Sequence, residues 1–124
     1  MIHNHLVTKH TQKVKDIISL VPDGGNFKDL PKGIGENRKF NEAWRRYDSN
    51  KPSRTIDTGH RNHFHYKYNR VPTVRENARL QSFPDKFIFL GSKTEQYRQV
   101  GNAVPPLLSK AVAEEILKII DKKK

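Results

Sequence analysis

Apolar positions recur at helical spacing near both ends of the chain. Between them the pattern shortens to strand-like alternation. Val14, Ile17, Ile18 and Val21 predict a first helix over 11–21, with Thr11 placed to cap its start. Pro22-Asp23-Gly24-Gly25-Asn26 predicts the turn that ends it. From 26 to 50 the chain is polar and interrupted by Gly33 and Gly35; Phe40, Ala43, Trp44 and Tyr47 suggest one short helix there. Ser53 to Thr58 alternates and is β-branched, and after Gly59 the run from His63 to Tyr68 alternates with Phe64, Tyr66 and Tyr68 on one side, so two strands are expected. Thr73 with Glu76 three residues on predicts a capping box for a helix through Val74, Asn77, Ala78 and Gln81, which Pro84 should end. Pro105 suits the first turn of a last helix, whose stripe runs Leu107, Leu108, Ala111, Val112, Ile116, Ile119, Ile120. A stripe this broad calls for a larger surface to bury against than the rest of the chain offers.

Composition narrows the partner. The 124 residues are 34% hydrophobic, enough for only a small core. Lys and Arg number 24 against 13 acidic residues, a formal charge of +11 that favours a polyanion, nucleic acid before others, over a generic basic surface. Lys122, Lys123 and Lys124 contribute to that excess, and a frayed, solvated end is expected there. The chain holds no cysteine, so a disulfide framework, a thiolate metal site and a cysteine nucleophile are excluded within it. No apolar run approaches a membrane span, and the first residues lack a signal-peptide core, so an intracellular, soluble protein is expected.

Two segments carry a family signal. Thr73-Val74-Arg75-Glu76-Asn77-Ala78-Arg79-Leu80-Gln81-Ser82-Phe83-Pro84-Asp85 and Gln99-Val100-Gly101-Asn102-Ala103-Val104-Pro105-Pro106 resemble, in order and spacing, the ninth and tenth motifs of DNA (cytosine-5)-methyltransferases. Pro52-Ser53-Arg54-Thr55-Ile56 stands where that family places a Thr-Ile or Thr-Leu pair in its target-recognition region. The resemblance implies an α+β chain: a small, irregular DNA-recognition domain over 1–92, then, over 93–124, the tenth motif and a helix belonging to the family's α/β cofactor domain. The family's glycine-rich cofactor loop, Pro-Cys nucleophile, Glu-Asn-Val and paired-arginine motifs have no counterpart here. The expected role is therefore the DNA-reading part of a restriction-modification methyltransferase, inactive alone and with no catalytic residue of its own. It would be either a separately encoded small subunit or the C-terminal piece of a whole enzyme. Its partners would be double-stranded DNA and a catalytic N-terminal subunit or domain, with self-association when isolated. The alternatives are a free-standing DNA-binding module and, more weakly, a structural protein with a basic surface.

The chemistry in this family extrudes the target base from the duplex, so a recognition part must grip the flanking DNA. Arg54, Thr55 and Ile56 are the candidates beside the flipped nucleotide, with Thr55 able to hold a phosphate; the same residues would also suit an ordinary strand. Arg61, Asn62 and His63 lie on the expected turn and carry donors suited to base edges, Arg61 for guanine and Asn62 for adenine; Asn62 and His63 also suit a turn. Arg45 and Arg46, with Lys51, form a second cluster expected at phosphates. All of these stand against the simpler reading of a solvated surface. His60, His63 and His65 are too loosely spaced for a metal site. Arg79 is expected to brace the domain through buried hydrogen bonds. Gly101, Asn102, Ala103 and Val104 would complete the S-adenosyl-L-methionine pocket, as the resemblance implies; alternatively Asn102 caps the last helix.

Overall fold

The computed structural model describes residues 2–40, 42–59 and 62–122. Four helices and one two-stranded parallel pair form an α+β unit: α1 (Gln12–Leu20), β1 (Arg45–Arg46), β2 (His63–Phe64), α2 (Val74–Leu80), α3 (Lys93–Asn102) and α4 (Pro106–Asp121). A single 3-10 turn spans Phe27–Asp29. The strands pair with Arg45 beside His63 and Arg46 beside Phe64.

The first two helices follow their sequence signals. Thr11 Oγ1 accepts from Val14 N at the start of α1. Thr73 and Glu76 form the expected capping box on α2, with the Glu76 carboxylate accepting from Thr73 N at 2.7 Å. The same carboxylate takes a two-pronged hydrogen bond from Arg70 at 2.7 Å on each prong. Burial pushes the Glu76 carboxyl up, but Arg70 and the Thr73 amide outweigh it and hold the carboxyl at about 2.

Three expectations are corrected. The suggested helix around 40–47 does not form. Ala43 N bonds Phe40 O, and Trp44 stands at φ +54°, a left-handed conformation that stops helical propagation. The Ser53–Thr58 run forms no strand and pairs with none among the described residues; Ile56 is drawn into the core and Asp57 into side-chain bonds. The second strand closes after Phe64, because the His65 ring takes the next amides. Its Nδ1 accepts from Lys67 N at 3.0 Å and Tyr68 N at 3.2 Å, and this local bond competes with a ladder. Tyr66 and Tyr68 are consequently exposed, outside any apolar face. The helix α3 has no counterpart among the predicted elements, although Ser92 followed by Glu95 is a helix-start pattern and the Ser92 hydroxyl does accept from Glu95 N.

The core has two clusters. Ile18, Val21, Phe64 and Val71 pack between α1 and the strands, while Tyr47, Ile56, Val74, Ala78, Phe89, Tyr97 and Val100 gather around α2 and α3. With so little sheet, buried arginines take over much of the cross-linking. Arg46 donates from Nε to Val21 O at 2.8 Å and from Nη2 to Ile18 O at 2.5 Å, satisfying the end of α1, and from Nη1 to His65 O at 2.9 Å. Arg75, 0% exposed, donates to His3 O at 3.0 Å, Pro84 O at 3.1 Å and Phe87 O. It thereby joins the N-terminal strap, α2 and the loop after it. Asn4 closes the same strap by exchanging hydrogen bonds with Phe89 through its side-chain amide.

Arg79, expected as the buried brace, is half exposed and pairs with Asp85 at 2.6 Å. The brace is Arg75, four residues earlier on the same helix. Replacing Arg75 with Ala should lower unfolding stability by about 3 kcal/mol or more, because three buried carbonyls lose their donor at about 1–3 kcal/mol each. Arg79→Ala should leave the urea midpoint close to wild type, because exposed ion pairs contribute little. Equal midpoints for the two variants would contradict this division of labour.

Candidate DNA-recognition and cofactor surface

The candidate recognition segment is built around Glu42 and Asp57. Arg45 Nε approaches Glu42 Oε2 at 2.6 Å in an ion contact whose N–H is not aligned on the oxygen, and Arg45 Nη1 donates to Gly24 O at 3.0 Å. Arg54 extends outward, 63% exposed at its side chain, with Nη1 3.9 Å from the same carboxylate. Thr55 is exposed beside it, and Ile56 turns inward. Asp57 accepts from Asn62 Nδ2 at 2.6 Å and lies 3.7 Å from His63 Nδ1. Burial raises the Asp57 carboxyl, but contacts from His63, Asn62 and the Gly59 amide more than offset this and hold it below its ordinary value.

These contacts sort the predicted DNA-facing residues. Arg54 and Thr55 remain at the surface, and Asn62 is half-buried with its amide engaged by Asp57. His63 is buried and stacked on Tyr47 with centroids 5.3 Å apart, so its ring serves packing, not base readout. Arg46 is also buried, with its donors on three backbone carbonyls and Asn69, so it does not belong to a phosphate-facing cluster. Arg45 is held inward by Glu42 and Gly24. Lys51 reaches solvent, 3.4 Å from Asp48. Arg61 and His60 lie outside the described residues. Among the described residues no cluster of His, Asp or Glu could hold a metal ion.

The tenth-motif residues are split between elements. Gly101 and Asn102 are the last two residues of α3 and not a loop before α4, so Asn102 does not cap the last helix. Pro105 takes that position, without any side-chain bond, and Ser82 Oγ accepts from Leu107 N at 3.2 Å. Ala103 N bonds Val100 O, while Asn102 and Val104 are exposed. Gln81 Nε2 donates to Val100 O at 2.6 Å, so the ninth motif fixes the position of the tenth.

Gly101 has a specific neighbour. A Cβ added there would overlap the Asp57 carbonyl and lie 2.6 Å from Thr58 N. The end of α3 therefore rests backbone-to-backbone against the candidate recognition segment, which has no strand partner among the described residues to hold it. The motif itself suggests a close approach at Gly101; that the surface it meets belongs to residues 57 and 58 emerges only in the fold.

The family model for C-5 cytosine-specific DNA methylase matches residues 2–118. Type II methyltransferase M1.HphI of Haemophilus parahaemolyticus is 46% identical over 123 residues, covering 96% of this chain and 32% of that protein. M.NgoFVII of Neisseria gonorrhoeae is 42% identical over 121 residues, covering 94% and 32%. M.AquIB of Picosynechococcus sp. is 37% identical over 138 residues, covering 98% of this chain and 95% of that protein. The chain belongs to the C-5 cytosine-specific DNA methylase family. It spans about a third of the length of the first two of these relatives. Enzymes of the family use S-adenosylmethionine as methyl donor and act on double-stranded DNA. No helix among the described residues is long and apolar enough to cross a membrane.

Gly101→Ala should cost about 1–3 kcal/mol of stability, the usual range for forcing a methyl into a packed site. The loss should be accompanied by faster amide exchange at residues 57–59. Unchanged stability and unchanged exchange would show that the seat is not tight.

Proposed function

We propose that this chain is the DNA-recognition part of a restriction-modification cytosine-5 methyltransferase, completed by a separate polypeptide or domain that carries the cysteine nucleophile and most of the cofactor site. The observation that carries this reading is α4. None of its residues is buried, while Leu107, Leu108, Val112, Ile116, Leu117, Ile119 and Ile120 are all exposed. So much apolar helix surface in one place marks an interface. The chain also has no cysteine with which to attack cytosine. M.AquIB supports a separate polypeptide, being a relative that this chain covers almost end to end.

In this reading Arg54 and Thr55 hold the backbone beside the flipped cytosine, since both remain exposed on a segment fixed by Ile56 and Asp57. The turn from Gly101 to Val104 closes one side of the cofactor pocket. Two features suit it to this role. Asn102 and Val104 face outward, and the Asn102 side-chain amide makes no hydrogen bond among the described residues. When bound, S-adenosylmethionine supplies the methyl group. The chain's own contribution is to position the DNA and complete the pocket wall.

The test is incorporation of labelled methyl from S-adenosylmethionine into duplex DNA, with this chain, the cysteine-bearing part of the same methyltransferase, and the two mixed. Activity is expected only in the mixture. Methylation by this chain alone, or no gain on mixing, overturns the proposal. Sequence-selective duplex binding with no gain on mixing would instead favour the free-standing DNA-binding module.

A further inference from the structure

Most arginines among the described residues are occupied. Arg45, Arg46 and Arg75 spend their donors within the fold, and Arg70, Arg79 and Arg98 are paired with carboxylates. Arg54 stands 3.9 Å from Glu42. Arg38 differs from all of these. Among the described residues its guanidinium reaches no carboxylate and no carbonyl, and it is held only by the face of Trp44, 4.4 Å from the ring centroid.

The platform beneath Arg38 is unusual. Trp44 adopts φ +54°, a backbone region that bulky residues rarely enter. Gly35 backs the ring on another side, where a Cβ would come within 3.3 Å of Trp44 Cζ3. The ring also lines a mostly apolar cavity of about 390 Å³ together with Ile17, Ile18, Phe64 and Arg38. The strain is therefore maintained by packing, and its result is a ring presented to one exposed cation. Trp44 follows Glu42 by two residues, and Glu42 is the carboxylate that Arg54 approaches. The exposed arginines 38 and 54 thus flank one turn of the chain.

We infer that Arg38 is a specificity-determining residue that reads a guanine in the major groove of the target duplex. The ring face holds the guanidinium in place and leaves its forked donors without a partner among the described residues, and such a fork matches guanine O6 and N7. Lysine has no such fork and stacks poorly. This inference rests on the proposed DNA-recognition role and adds the residue and the base.

The test measures affinity of the full chain, mixed with its cysteine-bearing part, for a duplex library with each base pair varied, at two salt concentrations. Arg38→Ala should lose about tenfold or more of the discrimination at one G·C pair and keep its preferences elsewhere. Arg38→Lys should show the same loss, and Trp44→Phe, which keeps an aromatic face, should show a smaller one. Placing 7-deazaguanine at that pair should weaken the wild type and leave Arg38→Ala unchanged. Arg38 is exposed, so the variants at this position should keep the wild-type melting midpoint. Uniform weakening on all sequences with a shallower salt slope would mean a phosphate contact and would overturn the inference, as would unaltered binding. A wild-type mixture that binds no duplex would overturn the DNA-recognition reading with it.

Discussion

A sixteen-residue helix with no buried side chain is the constraint from which the rest of this structure is best understood. Helices of this length gain little from their own hydrogen bonds, and most of their stability comes from burying an apolar face. In α4 that face is present in the sequence and uncovered in the fold. The helix start is nevertheless fixed, through Leu107 N on Ser82 and through Gln81 on Val100 O. The chain thus aims a fixed hydrophobic surface away from its own core, as expected of one side of an interface.

The remainder of the fold achieves order with little regular structure. Two strands of two residues each cannot organise the fold by ladder bonds. Buried guanidinium groups take that role. Arg46 gathers the end of α1 and the loop after β2; Arg75 gathers the N-terminal strap and the aromatic loop holding Phe87 and Phe89. A guanidinium suits such junctions because its donors point in fixed, divergent directions toward carbonyls that would otherwise be unsatisfied. The consequence for function is economy of the surface. In the proposed reading, arginines used inside cannot touch DNA, which concentrates the readout on the few that remain outside.

How much of this was legible in the sequence follows from the range of each interaction. Local signals read correctly: Thr11 and Thr73 cap the helices that their positions predict, and the apolar stripe from Leu107 to Ile120 is a helix with that stripe uncovered. Non-local outcomes did not. Arg75 and Arg79 look alike in sequence, and only the path of the strap past His3 and Asn4 decides which is buried. Ser53–Thr58 has strand-forming residues but no strand partner among the described residues, because strand pairing depends on what the remainder of the chain brings alongside. Gly101 was recognisable as a close-contact glycine, while the identity of its contact required Asp57 and Thr58 to be placed in space. The family could be read from the motifs because they are contiguous; the division of arginines between scaffold and surface could not.

Amide hydrogen exchange on the chain, alone and with the proposed cysteine-bearing part, tests the central claim most directly. Alone and monomeric, amides of 74–80 should be protected, while those of 108–121 exchange quickly; on mixing, the latter should slow by orders of magnitude. Protection of 108–121 in the isolated monomer, or none gained on mixing, would contradict the account.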